Sequence, residues 1–159
     1  MDSRAFLGLE RASDRSFSLQ VVPHLTTSGG FLFGGAGLGA GIAALETVTG
    51  RRCTWATAQY LSYARRDERV DVEVIVAVEG SSVTQARATC RVDDREILTI
   101  NAALGDRDFD ASGQFVAMPE IIAPEDARPR SLRAAHANSI MEALDMRYVK
   151  GRDLEELDG

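Results

Sequence analysis

Hydrophobic and polar residues alternate along the middle of this chain. From Val70 to Val78 every second residue is a valine, and Asp71 and Glu73 stand between the first of them. A period of two predicts a β-strand with one buried face. Turn residues delimit further predicted strands at residues 17–22, 53–62, 83–92 and 96–104. The last four strands follow one another without helices, so we expect a largely antiparallel sheet.

A glycine-rich segment interrupts this pattern and predicts one long helix over residues 35–48. Leu38, Ile42 and Leu45 recur at helical spacing, and Gly50 supplies a stop signal. Each of the five glycines that follow Phe33 costs about 0.5–1 kcal/mol in a helix relative to alanine. Such a helix needs a face without side chains, either for close packing of a sheet or for contact with a ligand. We predict an α+β fold in which about five strands wrap this helix.

Composition and charge exclude several classes of function. The 159 residues carry a formal net charge of -6, which argues against nucleic acid or an anionic membrane as a partner. A local basic patch can still hold a phosphorylated ligand. The two cysteines are too few for a disulfide framework and favour a reducing, cytoplasmic location. Residues 26–45 lack charges, but seven glycines make them too weakly apolar for a membrane span.

The motif GAGLGA at residues 35–40 matches the dinucleotide-binding pattern GxGxxA. A true fingerprint follows a buried parallel strand and opens a series of βαβ units. Neither context is present here. The apolar run before the motif is only Phe31-Leu32-Phe33, and four predicted strands follow the helix without a second helix between them. We therefore predict that no dinucleotide binds here. We also predict no other cofactor and no metal.

A family resemblance rests on the order of several short motifs. In chain order these are Leu32-Phe33-Gly34-Gly35, Ala43-Ala44, Thr47-Val48, Ala58-Gln59-Tyr60-Leu61, Arg65-Arg66, the valine-rich strand, and Met118-Pro119 followed by Pro124-Glu125-Asp126. With them, residues 17–109 resemble the hotdog fold, and within it the N-terminal half of the two-hotdog acyl-CoA thioesterases of the thioesterase II type. The resemblance implies hydrolysis of acyl-CoA and a homodimer or pseudo-dimer with a second hotdog.

The resemblance also shows which catalytic group is missing. Related hotdog thioesterases carry an Asp or Glu about two turns into the central helix, and the matching residue here is Ile42. Isoleucine cannot serve as a base or a nucleophile. In the two-hotdog family the catalytic Asp, Thr and Gln belong to the second half. We expect this chain to be the N-terminal half or a shortened relative, and the alternative is a non-catalytic hotdog that binds acyl groups or dimerises.

Two residues are candidates for a catalytic base. Glu46 lies one turn beyond Ile42 and is the only acid of the predicted helix. The alternative is a solvated carboxylate near the end of a helix. His24 follows Pro23 at the end of a strand and can act as a general base. Its alternative is an exposed or backbone-bonded loop histidine.

Four residues are candidates for substrate binding. Amide groups of Gly34 and Gly35 at the beginning of the helix can polarise a thioester carbonyl. The alternative is that glycines of this helix only permit close packing. Thr57 and Gln59 share one face of a strand and can hydrogen-bond a thioester or a water, although any half-buried strand shows the same spacing.

The domain organisation that we predict has three parts. Residues 1–113 form the hotdog domain, and residues 114–130, with three prolines, form a linker. Residues 131–159 form a tail with a short helix from Ser131 to Asp145. The tail either ends the fold or begins a second hotdog, because Met146-Arg147-Tyr148-Val149 resembles the first strand of such a half.

Overall fold

The computed structural model describes residues 3–106 and 113–153. Two helices and eight strands make up its regular elements: α1 (Ser3–Leu7), β1 (Glu10–Arg11), β2 (Ser16–Gln20), α2 (Gly34–Thr49), β3 (Cys53–Tyr60), β4 (Arg69–Glu79), β5 (Val83–Val92), β6 (Arg95–Gly105), β7 (Arg128–Pro129) and β8 (Arg147–Tyr148). Among the described residues, neither α1 nor α2 has the length and apolarity that a membrane-spanning helix requires.

Six strands form one antiparallel sheet in the order β1-β2-β4-β5-β6-β3. Strand β4 contains the alternating valines and lies inside the sheet, where Val70, Val72 and Val74 are buried. The edges are β1, which has two residues, and β3, which has eight. The predicted α+β architecture, one long helix on an antiparallel sheet, is therefore confirmed.

Helix α2 packs on one face of this sheet and also contacts α1. Phe33 precedes it in an extended conformation, and Gly50 ends it with a φ of 67° and an N–H that donates to the Glu46 carbonyl. The fully buried side chains between helix and sheet are mostly aliphatic: Leu45, Val70, Val72, Val74, Ala88, Ile100 and Leu104. The opposite face of the sheet has no helix of the described residues on it.

Close packing explains the glycines in the middle of α2. A Cβ atom on Gly41 would lie 2.1 Å from Cδ1 of the buried Ile100, and one on Gly37 would lie 3.2 Å from Cδ2 of Leu98. A Cβ atom on Gly39 would lie 3.8 Å from Leu7, which is an ordinary contact. The sheet therefore approaches the helix along one stripe and leaves other glycines free of this constraint.

The contrast between Gly41 and Gly39 gives a matched test of this packing. We expect Gly41→Ala to lower the free energy of unfolding by about 1–3 kcal/mol, because overpacking outweighs the better helix propensity of alanine. Gly39→Ala should raise it by about 0.5–1 kcal/mol. Urea denaturation measures both values, and Ile100→Val should partly rescue Gly41→Ala. Equal stability of the two single variants would contradict the packing argument.

The tail differs from its prediction. The single helix expected from Ser131 to Asp145 is wrong, because two 3-10 turns, Ala134–His136 and Ile140–Glu142, occupy this segment. Between them Asn138 has a φ of 53°, in the left-handed region, and Ser139 is extended. Both conformations interrupt a helix.

Ile140 attaches the tail to the hotdog. Its side chain is buried, and its N–H donates to the Thr26 carbonyl at 2.8 Å. Tertiary contact thus replaces helical hydrogen bonds at this point. The division at residues 113 and 130 stays a prediction, and residues 107–112 and 154–159 lie outside the described residues.

Candidate functional site

The first turn of α2 presents two backbone donors. The amide groups of Gly34 and Gly35 have no protein acceptor among the residues that the structure describes, as expected for the first residues of a helix. The Tyr60 hydroxyl donates to the Gly34 carbonyl at 3.1 Å and so positions β3 beside this turn. The site can therefore accept a ligand oxygen, and the helix dipole favours negative charge on that oxygen.

An apolar pocket adjoins these donors. It has a volume of about 300 Å³, and its lining comes from α1, α2 and the tail: Phe6, Leu7, Phe33, Gly35, Ala36 and Ile140. Gly35 thus belongs both to the donor pair and to the pocket wall. A group that combines a carbonyl with an aliphatic chain matches this arrangement, because the oxygen meets N–H groups while the chain leaves water.

His24 lies close to this pocket. Its Nε2 is 2.9 Å from the Phe6 carbonyl oxygen. The centroids of the His24 and Phe6 rings are 5.2 Å apart. A ring nitrogen that faces a carbonyl must donate, so Nδ1 is the nitrogen left to accept a proton when the ring is neutral. Its catalytic role stays a prediction.

Glu46 lies at the other end of α2. It lies eleven positions after Gly35, which corresponds to about 16 Å along a helix. Its carboxylate accepts a hydrogen bond from the Cys53 amide at 2.8 Å. The structure thus separates the two candidate bases, and only His24 lies at the end of the helix that carries the glycine amides.

Thr57 and Gln59 are exposed on the sheet face opposite α2. The neighbouring Ala56 and Ala58 face the core, and Tyr60 reaches Gly34 on the same side. In this chain the two polar side chains therefore do not converge with the glycine amides. Their proposed contact with substrate stays a prediction.

Glu96, a carboxylate that the sequence pattern did not single out, is linked to Gln59 through Thr99. Gln59 pairs with Thr99 across the strands, and the Thr99 hydroxyl donates to Glu96. Hydrogen bonds from Thr99 and Arg91 hold the pKa of Glu96 below its ordinary value. A general base near neutral pH needs a raised pKa, so this engaged and ionised group fits a structural role. Only the register of β3 against β6 could reveal it.

Neither cysteine is suited to act as a nucleophile. Burial raises the pKa of the Cys90 thiol to about 12, and the nearby Glu96 charge adds to this effect. Burial also raises the pKa of Cys53, whose thiol donates to the Trp55 carbonyl at 3.4 Å. The reactive thiolate is scarce at neutral pH in both cases. Both are free thiols, and a cytoplasmic location stays a prediction.

A second cavity lies away from the glycine amides. It has a volume of about 620 Å³ near the end of α2 and is lined by Gly50, Arg51, Arg52, Cys53, Thr54, Ser81, Ser82, Gly105 and Asp106. Arg51 is engaged there, because it donates to the carbonyls of Gly80 and Ser81. Within residues 3–106 and 113–153, no group of three or more His, Cys, Asp or Glu side chains is arranged to hold a metal.

Solved structures resemble this chain over most of its length. A candidate thioesterase of Novosphingobium aromaticivorans is 26% identical, with a TM-score of 0.73 over 78% of this chain and 50% of that protein. The tesB protein of Mycobacterium avium subspecies paratuberculosis is 26% identical, with a TM-score of 0.67 over 78% and 48%. The chain thus spans about half the length of both proteins.

A smaller protein shares the fold alone. The smu.793 protein of Streptococcus mutans, solved with bound acetyl-CoA, is 13% identical, with a TM-score of 0.58 over 63% of this chain and 91% of that protein. No family model matches the chain, and no curated protein matches it.

Proposed function

Because this chain has a hotdog fold of the thioesterase type, we propose that it is the N-terminal, substrate-binding half of an acyl-CoA thioesterase. One observation carries this proposal. The free amides of Gly34 and Gly35 adjoin an apolar pocket to which Gly35 itself contributes. An acyl thioester matches this arrangement, because its carbonyl oxygen can accept from the amides while its acyl chain enters the pocket. The protein of S. mutans with bound acetyl-CoA supports the same ligand class.

The amides would act on the thioester carbonyl. When water attacks the carbonyl carbon, negative charge develops on the oxygen, and a backbone donor of this kind is worth about 10²- to 10³-fold in rate. The sulfur then leaves as the thiol of coenzyme A, and the acyl group leaves as a carboxylic acid. The pocket beside Gly35 holds the chain, at about 0.8 kcal/mol for each buried methylene.

The attacking water needs a base that this half does not place on its helix. Ile42 stands at the matching position of α2. We infer that a second hotdog supplies the carboxylate, either from a longer parent chain or from another copy. Similarity to proteins about twice as long supports the first route.

A non-catalytic acyl-binding or dimerisation module is the second candidate function. Ile42 favours this candidate, because a hotdog without a catalytic base on its helix can still bind a thioester. Turnover separates the two candidates, since both predict binding and only the first predicts hydrolysis in the assembled protein.

A pair of variants at Gly34 tests the donor role. Phe33 is extended before it, so proline fits at this first helical position and removes only the N–H group. We expect Gly34→Pro to bind acyl-CoA about three- to tenfold more weakly than Gly34→Ala, which corresponds to one hydrogen bond. Isothermal titration calorimetry measures both affinities. The alanine control carries the same Cβ, which meets the Tyr60 ring at 2.9 Å in either variant.

Two outcomes would count against this function. Equal affinity of the two variants would remove the donor role of Gly34. If acyl-CoA neither binds nor raises the unfolding temperature of the wild-type chain, the proposal as a whole fails, because a ligand of the native state must stabilise it.

The long edge strand β3 is where we propose that a second hotdog joins. The strand predicted over residues 70–78 belongs to the sheet, but β2 and β5 already pair with both of its sides. Of the two edges, only β3 is long enough for an extended pairing, and unpaired edges seek partners. The result would be a continuous sheet across a homodimer or pseudo-dimer.

Hydrogen exchange tests this pairing at single amides. In a monomer about every second amide of β3 faces solvent and exchanges rapidly. We expect all amides from Cys53 to Tyr60 to become slow as protein concentration rises, in step with a larger sedimentation coefficient. A chain that sediments as a monomer at tens of micromolar, with alternate fast amides in β3, would contradict the proposal.

A further inference from the structure

An aromatic and basic surface lies just before the first turn of α2. We name it the Tyr63 patch and define it by Phe31, Tyr63, Arg65, Arg66 and Arg95. Phe31 and Arg65 form an antiparallel bridge. Phe31 lies four positions before Gly35, so the Cα atoms of these two residues are within about 14 Å of each other.

The aromatic part of the patch is exposed and ordered by contact. The rings of Phe31 and Tyr63 are 4.9 Å apart at an interplanar angle of 68°, and the two residues are 40% and 47% exposed. The edge-to-face arrangement holds both rings at the surface. Because Arg65 and Arg95 already lie against the Tyr63 ring, the ring of Phe31 is the platform left for a planar base.

Arg65 and Arg66 keep their charges available. The Arg65 guanidinium lies 5.5 Å from the centre of the Tyr63 ring and donates to the Tyr63 hydroxyl at 3.3 Å. Arg66 donates to the Asn138 carbonyl at 3.3 Å and to the Thr26 hydroxyl at 3.5 Å. All of these acceptors are neutral, and neither arginine has an ion pair within the described parts of the chain.

Acidic groups nearby are partly neutralised. Glu68 forms an ion pair with Arg95 at 3.4 Å and also accepts from the Arg65 amide. Arg95 itself lies 5.5 Å from the centre of the Tyr63 ring and donates to the Tyr63 carbonyl and to Ser62. Asp67 is exposed next to Arg66, and its negative charge repels an anion bound there. The patch nevertheless carries three cations in a chain of net charge -6.

We propose that the Tyr63 patch binds the phosphorylated adenosine end of coenzyme A, with the base on the ring of Phe31 and the phosphates on Arg65 and Arg66. Guanidinium groups match phosphate oxygens in geometry and charge. The pantetheine arm then leads from the patch to the thioester at Gly34 and Gly35. This inference rests on the proposed function, because it adds a second contact for the same substrate.

Calorimetric titration with adenosine 3′,5′-bisphosphate tests the patch without a thioester. We expect Arg65→Ala and Arg66→Ala each to weaken binding about tenfold, as the loss of a charge-assisted contact implies. Arg65→Lys should recover only part of the affinity. Arg87→Ala, an exposed arginine on the far face of the sheet, is the matched control and should bind as the wild type does. Unfolding temperatures establish that all variants fold.

Two further variants identify the chemistry. Phe31→Ala should weaken adenosine bisphosphate but leave the binding of inorganic phosphate unchanged, because only the nucleotide stacks on the ring. Asp67→Asn should strengthen nucleotide binding, since it removes an opposing charge and asparagine tolerates the φ of 68° at this position. Added salt should weaken the nucleotide in every case. Equal binding of inorganic phosphate and the nucleotide would overturn the assignment to adenosine.

A truncated thioester separates this inference from the proposed function. An acyl-N-acetylcysteamine carries the acyl group without the nucleotide, so its binding should not change in Arg65→Ala. If it binds and the nucleotide does not, the patch assignment is wrong and the proposed function stands. If the nucleotide binds through Arg65 and no thioester binds, the patch stands and the proposed function fails.

Discussion

The isolated chain is expected to release coenzyme A from acyl-CoA with a kcat below about 0.1 s⁻¹. Enzymes commonly turn over at about 10 s⁻¹, and general-base assistance contributes about 10²- to 10⁴-fold. The helix position that would hold the base is Ile42. Donors at Gly34 and Gly35 remain, but they stabilise the developing oxyanion and cannot take a proton from the attacking water. A thiol-detecting assay with the purified chain measures the rate.

Robust turnover would contradict this expectation and identify a missed base. Glu46→Gln and His24→Ala would then show which group acts. Glu79→Gln and His136→Ala are matched controls, because Glu79 belongs to β4 and His136 to the tail rather than to α2 or the segment before it. Loss of turnover in His24→Ala alone would place the base near the first turn of α2, beside the Gly34 and Gly35 amides. If both variants keep their turnover, neither Glu46 nor His24 is the base.

Gly105→Ala is expected to destabilise the fold by more than about 3 kcal/mol, which is a large part of the 5–15 kcal/mol typical of a domain. Gly105 has a φ of 136°, and its Cβ would lie 2.1 Å from the backbone oxygen of Ser82. The clash involves backbone, so no rotamer change relieves it. Its own amide also donates to the Arg52 carbonyl at 2.9 Å, which ties the end of β6 to the beginning of β3.

Gly50→Ala is the control for this variant. Gly50 has a φ of 67°, and no atom lies within 4 Å of its ideal Cβ position. Only the cost of the left-handed conformation applies, at about 1–2 kcal/mol. Urea denaturation compares the two variants. If Gly105→Ala is as stable as Gly50→Ala, the backbone contact with Ser82 does not constrain this position.

Local patterns predicted most of the hotdog fold because they act over short distances in the chain. The alternating valines identified β4, the glycine-rich segment identified α2, and Gly50 identified its end. The boundaries were less exact. The strand predicted over 17–22 ends at Gln20, and the strand over 53–62 ends at Tyr60, because pairing partners decide where a strand stops.

Part of the candidate site was also predictable from the sequence. Glycines at a helix N-terminus imply free amides in any fold, so Gly34 and Gly35 needed no tertiary information. The apolar pocket did need it, since Phe6, Phe33 and Ile140 come from three distant parts of the chain. The same holds for the partner of His24 and for the orientation of Thr57 and Gln59 away from α2.

Most of the strand segments, the course of the long helix and the residue at the position of the usual catalytic acid, Ile42, were all readable from the amino-acid sequence. These properties depend on side-chain periodicity and residue chemistry, which neighbours in the chain already specify. The strand order, the attachment of the tail through Ile140 and the meeting of Phe31 and Tyr63 with Arg65 became visible only in the folded chain. Those contacts join residues far apart in sequence, and their energy comes from burial and pairing that exist only in the folded chain.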